Sequence, residues 1–178
     1  MDKLPSTTHR QTSNLDAGPW ILTPDRFDAR SRERLGAPAL RTFAAIAEQW
    51  GLSEAQRLSI LGLPGRSTYH LWLSKARDKK PVLLPLDVLL RLSAVFGIYK
   101  DLNILLGRLQ EQAGWLKNPN DATVFGGQPP LALITNGTQD GIMLVRRYLD
   151  AWRGGVFAAP NSVDQSSAPY TDDDIVLV

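Results

Sequence analysis

The sequence predicts an all-α protein, because apolar residues recur at helical spacing along its middle and capping residues separate those stretches. In the first stretch, Leu40, Phe43, Ala47 and Trp50 lie three or four residues apart, which places them on one helix face. The 178-residue chain has no cysteine, so disulfides and thiolate metal sites are excluded. No apolar run reaches the about 18 residues of a membrane span, and the N-terminus lacks a signal-peptide core. We therefore expect a cytoplasmic protein with no membrane partner.

The distribution of charge, together with the positions of glycine and proline, divides the chain into four predicted parts. Residues 1–36 carry a net charge of +1 and are predicted to form an N-terminal arm, with a short helix within 24–35. Residues 37–108 carry +5 and are predicted to form a helical DNA-binding and dimerisation domain. Residues 109–156 form a second helical domain, and 157–178 a C-terminal tail; together they carry −4, which suits a different partner. Ordinary surface variation is the alternative explanation of this asymmetry.

The basic middle contains a helix-turn-helix pattern. A first helix is expected to begin near Pro38 and end at Gly51, and Ser53 with Gln56 fits a capping box that opens the second. Gly62–Gly65 makes the turn to a third helix, whose N-terminal half would enter the major groove. Arg66 and His70 can donate to guanine edges, and hydroxyls suit phosphates. The predicted DNA contacts are Arg66, Ser67, Thr68, His70, Lys75 and Arg77. A plain helical hairpin with a solvated basic face is the alternative.

A leucine-rich segment follows. Pro85 and Asp87 suit the start of a helix that is expected to end at Gly97, with a further helix over Tyr99–Leu109. Its predicted inner face is Leu86, Leu89, Leu90, Ser93 and Phe96. The segment is too apolar for a solvent-facing helix, so it is either core or a dimer interface.

The segment Phe125–Gly155 reads as two helices behind a loop rich in glycine and proline. Trp115–Asn120 is expected to be a turn, followed by a short helix at Leu131–Asn136 and a second helix capped by Thr138. Ile142, Val145, Leu149 and Trp152 form the apolar stripe of that second helix, and Arg146, Arg147 and Arg153 lie off it. The glycines do not begin a phosphate-binding motif, so turns explain them better.

The sequence shows no catalytic constellation. Only His9 and His70 are present, neither in a metal-ligand spacing, and no nucleophile motif occurs. We expect no catalytic residue, no metal and no cofactor, which makes a small enzyme the weakest reading. The tail ends in the acidic run Asp172–Asp174 and an apolar terminus. It is expected to be disordered, or else Tyr170–Val178 orders against a partner.

The order of these motifs resembles the Xre/MbcA/ParS antitoxin family over about residues 37–156. The resemblance is carried by an Xre-like helix-turn-helix, then LLPLDVLLRLSAVFGIYKDLNILL, WLKNPN, FGGQPPLALITNG and VRRYLDAWRGG. It implies a type II antitoxin whose C-terminal part occludes the active site of a RES-domain, NAD-consuming toxin. It also implies an N-terminal part that dimerises and binds the operator DNA of its own operon.

The resemblance also suggests which residues contact the toxin. The arginines are the better contact candidates, because a planar guanidinium engages carboxylates and carbonyls across an interface. The glycines and prolines are expected to include structural positions. The predicted toxin-binding residues are Trp115, Asn118, Asn120, Arg146, Arg147 and Arg153, with Pro119, Gly126, Gly127, Pro130 and Leu131 as further candidates. A stand-alone helix-turn-helix regulator is the alternative function.

Overall fold

The computed structural model describes residues 28–155, and this range contains seven α-helices and no strand. The helices are α1 (Ala29–Gln49), α2 (Glu54–Ile60), α3 (Arg66–Arg77), α4 (Leu86–Leu106), α5 (Leu109–Lys117), α6 (Pro130–Ile134) and α7 (Gln139–Arg153). The all-α prediction is therefore confirmed. Predictions for residues 1–27 and 156–178, including those for Asp172–Asp174 and Tyr170–Val178, lie outside the described residues. No helix in residues 28–155 combines the length and hydropathy needed to cross a membrane.

Helix α1 begins earlier than the sequence suggested. The predicted start near Pro38 is wrong, because Asp28 caps the helix by accepting a 2.6 Å hydrogen bond from the Ser31 amide. Pro38 lies inside the helix on an exposed position, where its ring removes one backbone hydrogen bond. Gly36 packs so closely on the Val82 carbonyl that a Cβ would overlap it. Residues 29–36, expected in the arm, thus belong to the helical core.

The helix-turn-helix forms as its caps predict. Ser53 accepts a 3.3 Å hydrogen bond from the Gln56 amide, and the Gln56 side chain accepts a 2.9 Å bond from the Ser53 amide. This capping box satisfies two amides that the first turn of α2 cannot pair internally. Gly51 and Gly62 adopt φ values of +66° and +82°, as expected where helices end. The non-glycine Leu63 also adopts a positive φ, of 61°, in the turn before α3.

Helix α4 is a single long helix, so the prediction that it ends at Gly97 is wrong. Gly97 is buried in its middle, and the chain turns only at Gly107, where φ is +62°. The predicted inner face is also wrong, because it lies on nearly the opposite side of the helix from the buried face. Leu86 and Leu90 are 37% and 45% exposed, whereas the buried face carries Val88, Leu92, Val95, Ile98 and Leu102. Because α4 is apolar on nearly every side, its sequence could not reveal which face is buried.

The C-terminal helices pack on the far end of α4. Trp115 and Lys117 belong to the last turn of α5, so the predicted turn begins only at Asn118. The short helix and the Thr138 cap are confirmed, since Thr138 Oγ1 accepts a 2.9 Å hydrogen bond from the Gly141 amide. The predicted stripe of α7 faces the core, with Ile142, Val145 and Leu149 fully buried and Trp152 half-buried.

One hydrophobic core runs through both halves, because α4 packs against α1 on one side and against α7 on the other. Arg91 of α4 reinforces this junction. Its guanidinium donates to the Gly137 carbonyl at 3.0 Å, and to the Ile60 carbonyl at 3.5 Å. The helix-turn-helix and the C-terminal helices are thereby held on a common helix.

Candidate functional site

The first turn of α3 carries an exposed cluster of charges. Arg66 pairs with Glu54 of α2 at 2.7 Å, and His70 Nε2 lies 3.4 Å from the other Glu54 oxygen. The Arg66 and His70 side chains are 76% and 57% exposed, so both stay accessible at the surface. The structure therefore brings two predicted DNA contacts together and holds them on one carboxylate. Sequence reasoning missed Glu54, since it precedes Arg66 by twelve residues and only the tertiary turn joins them.

The other predicted DNA contacts, Ser67, Thr68, Lys75 and Arg77, are all exposed but do not form one cluster. At 3.6 residues per turn, Arg77 lies on the same side of α3 as Arg66, whereas Thr68 and Lys75 lie on another. Leu71 lies between these two sides and is 53% exposed. An exposed apolar side chain on such a helix is suited to contact a thymine methyl group. Leu71 was not among the predicted DNA contacts, which were all polar or charged.

Four aromatic rings meet where α5, the following loop and α7 converge. Trp115 lies 5.8 Å from Phe125 in an edge-on arrangement, and 6.3 Å and 6.4 Å from Tyr148 and Trp152. Ring pairs at these separations add about 0.5–1.5 kcal/mol each to the free energy gained by burial. Trp115, predicted to contact a partner, is half-buried and its ring is engaged inside the molecule.

Two of the predicted contact arginines form an ionic cluster with α4. Arg146 Nε lies 3.4 Å from Asp101 and 2.8 Å from Asp150, and Arg153 Nε lies 3.0 Å from Asp101. The Asp101 side chain is only 1% exposed, so it depends on these cations for compensation. A Cβ on Gly97 would overlap the Arg146 guanidinium, which explains a glycine in mid-helix. Arg146 and Arg153 therefore hold α7 to α4.

The two carboxyls of this cluster are shifted in opposite directions. Burial raises the pKa of Asp101, and the nearby Asp150 adds to that rise, although Arg146 and Arg153 act against it. Burial also acts upward on Asp150, but the hydrogen bond and charge of Arg146 outweigh it and lower the pKa of Asp150. The cluster thus carries its negative charge most readily on Asp150.

The remaining predicted contacts divide into structural and outward-facing residues. Asn120 Oδ1 accepts from the Ala122 amide at 3.1 Å and its carbonyl accepts from Gly127 at 3.2 Å, so it shapes the loop. Gly126 and Gly127 adopt φ values of +55° and +77° in that loop. Asn118 caps the end of α5 and is exposed. Arg147 is exposed and, within residues 28–155, makes no hydrogen bond or ion pair. It is the predicted arginine that remains available to a partner.

Residues 28–155 contain no cluster of three or more histidine, cysteine or acidic side chains able to hold a metal ion. What the structure offers instead is two exposed surfaces on one rigid core. One lies at the start of α3, and the other on α7 and the end of α5.

Comparison with known proteins assigns these two surfaces to two domains. Residues 29–97 match the antitoxin Xre-like helix-turn-helix domain, and residues 101–155 match the C-terminal toxin-binding domain of Xre/MbcA/ParS antitoxins. The uncharacterized protein y4oB of Sinorhizobium fredii is 38% identical over 136 residues, covering 76% of this chain and the whole of that protein. Both matched domains are antitoxin domains and neither is enzymatic. The chain belongs to the Xre/MbcA/ParS antitoxin family, with a DNA-binding fold at one end of α4 and a toxin-binding domain at the other.

Proposed function

We propose that this antitoxin binds a cognate RES-domain toxin in the cytoplasm, occludes its NAD-consuming active site and represses its own operon. The observation that supports this most is the toxin-binding domain over residues 101–155, which follows a helix-turn-helix domain in the same chain. A stand-alone regulator leaves that second domain without a role. The motifs WLKNPN and VRRYLDAWRGG are the sequence features that favour a RES partner.

The toxin-contact surface proposed here is centred on α7. Arg147 projects from it with no internal partner in the described residues, whereas Arg146 and Arg153 are held by Asp101. Because those two ion pairs fix α7 on α4, the helix meets the toxin in a preformed orientation. Preorganisation lowers the entropy lost on binding and so favours a tight complex.

The test is co-expression with a RES-domain toxin, followed by measurement of cellular NAD. The wild-type antitoxin is expected to co-purify with the toxin and to keep NAD at the level of toxin-free cells. The variant Arg147→Glu should bind the toxin more weakly, because it reverses an exposed charge at the contact. Lys100→Glu, a charge reversal at another exposed residue on α4, is the control and should keep full binding. If the wild-type chain fails to bind the toxin or to preserve NAD, the RES assignment is wrong.

Operator binding is proposed to use the exposed start of α3. A helix-turn-helix presents this part of its second helix to the major groove, where an arginine recognises guanine. When Arg66 contacts DNA, its ion pair with Glu54 has to break, or Arg66 has to contact Glu54 and the DNA at the same time. Removing Arg66 should therefore weaken operator binding and relax its sequence preference by about 1–3 kcal/mol. Mobility-shift titration of the promoter with wild-type and Arg66→Ala protein measures this directly.

The proposed homodimer uses an apolar groove between α1 and α4, into which the exposed Leu35, Leu86 and Leu90 project. None of the residues that line this groove is charged. A second copy of the chain is its expected occupant, because reading two half-sites requires two recognition helices related by symmetry. Leu90→Lys should convert the dimer to a monomer in light scattering. The control is Ile104→Lys, which changes an exposed apolar residue of α4 outside the groove and should leave the dimer intact.

A further inference from the structure

A basic cleft lies between the start of α1 and the turn that follows α3. Its volume is about 390 Å³, and its charged lining residues are Arg30, Glu33, Arg34, Arg41, Lys79 and Lys80. Five of these six are cations. The nearby carboxylates are Asp28 at the start of α1 and Asp78, whose side chain is 3.2 Å from Lys80. The cleft therefore keeps a positive charge after its own ion pairs are counted.

The walls of this cleft are fixed relative to the DNA-binding motif. Arg41 of α1 donates a 3.0 Å hydrogen bond to the carbonyl of Ala76, in the last turn of α3. Helices α1 and α3 also pack together through the hydrophobic core. The cleft thus moves with α3 as one body, so an anion held there would help to set the position of α3.

Lys79 lines the cleft in an unfavourable backbone conformation. It adopts a φ of +56°, and its amide and that of Lys80 bond back to Ala76 and Lys75 at the end of α3. Glycine is the residue favoured at such a helix end, because a Cβ in the left-handed region costs roughly 1 kcal/mol. A strained residue with a charged side chain, facing a cationic cleft, indicates a role that the fold itself does not require.

We propose that this cleft binds a phosphate of the DNA backbone, at the edge of the site that α3 reads. The inference rests on the proposed operator binding. Helix α3 has twelve residues and is about 18 Å long, whereas the major groove is about 12 Å wide. When its first turn touches base edges, its far end therefore lies over the phosphates that border the groove. Arg30 and Arg34 of α1 line the same cleft as Lys79, so their charges are placed beside those phosphates.

The test compares Lys79→Gly with wild-type protein, using the full chain. The probes are a duplex from the region immediately upstream of the gene and a scrambled duplex of equal composition. Fluorescence anisotropy across a salt series should show the slope of log K against log salt reduced by about one, and about eightfold weaker binding near 0.1 M salt. Both duplexes should be affected alike, since a phosphate contact carries no sequence information.

Two further measurements separate a phosphate contact from a structural effect. Relief of the left-handed strain should raise the unfolding midpoint of Lys79→Gly even as its DNA binding weakens. The matched control is Leu63→Gly, which relieves a similar φ of 61° without removing a charge, and should leave the salt slope unchanged. Lys79→Arg, which keeps the charge, should bind DNA with the wild-type slope.

The possible outcomes distinguish failure of the phosphate-binding proposal from failure of the proposed operator binding. If the wild-type chain binds neither duplex, operator binding itself fails and the cleft has no phosphate to hold. If wild-type binding is normal but Lys79→Gly keeps the full salt slope, only the present inference is overturned. If Lys79→Gly instead weakens the toxin complex and leaves DNA binding intact, the cleft serves an acidic protein surface and the inference is likewise wrong.

Discussion

Replacing Arg146 by glutamine tests whether the ionic cluster, rather than apolar packing alone, holds α7 on α4. The change removes the cation that lies 3.4 Å from Asp101 and 2.8 Å from Asp150. It leaves Arg153, 3.0 Å from Asp101, as the remaining partner of a carboxylate that is 1% exposed. The variant therefore buries more negative charge than the cluster can compensate.

The size of the effect follows from these distances. At an effective dielectric constant of about 20, unit charges at 3.4 Å and 2.8 Å attract by roughly 5 and 6 kcal/mol. Desolvation of the ions offsets most of this, and removal of one partner of a buried pair typically costs about 3–5 kcal/mol. Arg146 is 27% exposed and Arg153 remains, so water and the second cation reduce the loss. We expect Arg146→Gln to lower the free energy of unfolding by about 2–3 kcal/mol near pH 7.

The loss should shrink as the solution is made acidic. A carboxyl whose pKa is raised by folding stabilises the fold below its unfolded pKa and loses that contribution as the pH rises through its folded value. The pKa of Asp101 is already raised, and removing Arg146 raises it further. Asp150 loses its main cause of a lowered pKa, so its contribution near neutral pH also falls. The variant is thus closest to wild type at pH values below the raised pKa of Asp101.

Urea unfolding followed by circular dichroism, at low salt near pH 7 and at mildly acidic pH, measures both quantities. Arg147→Gln is the matched control, since the neighbouring arginine is exposed and forms no ion pair in the described residues. Its unfolding free energy should stay within about 0.5 kcal/mol of wild type. A loss for Arg146→Gln below about 1 kcal/mol, or an equal loss at both pH values, would refute the assignment of the cluster as the joint between α4 and α7.

Three further changes probe the local structure by the same urea titration. Gly97→Ala should lower the free energy of unfolding by about 2 kcal/mol, because the added methyl group overlaps the Arg146 guanidinium. The loss should be smaller in an Arg146→Gln background, and equal losses in both backgrounds would contradict the overlap. Ser53→Ala should cost about 1 kcal/mol, since one half of the capping box is lost, and a neutral result would mean that water replaces the cap. Trp115→Ala should cost about 3 kcal/mol and weaken toxin binding, because the half-buried ring supports Phe125, Tyr148 and Trp152; wild-type stability would show that the ring serves contact alone.

Helix starts were predicted correctly where the capping side chain and the backbone amide that it accepts from are close together in the sequence. Ser53 with Gln56 and Thr138 with Gly141 are such cases, because both partners lie within three residues. Asp28 follows the same rule but was missed, since Pro38 offered a stronger-looking start ten residues later. A proline inside a helix removes one hydrogen bond and weakens the helix without always ending it. Helix α1 continues through Pro38, and the nearby Gly36 and Leu40 are buried.

The surroundings of the candidate contact residues were predicted less completely than the helices. Arg66 and His70 were predicted as DNA contacts because they lie off the apolar stripe of α3, but Glu54, which pairs with both, was not predicted. The three arginines of α7 looked equivalent in sequence, and only Arg147 remains outward and unpaired among the described residues. Helical spacing shows which residues share a face of one helix, but it carries no information about what another helix brings to that face.

By itself, the sequence determined the all-α class, the helix-turn-helix, the apolar stripe of α7 and the family to which the motifs point. These features depend on neighbours within a few residues, where caps and helical period act. The tertiary structure alone decided which face of α4 is buried, why Gly97 lies inside that helix, and which arginines remain free for a partner. The physical reason is that Asp101 and Arg146 lie 45 positions apart in the chain. Their charges meet only after α7 has packed on α4, at a glycine with room for a guanidinium.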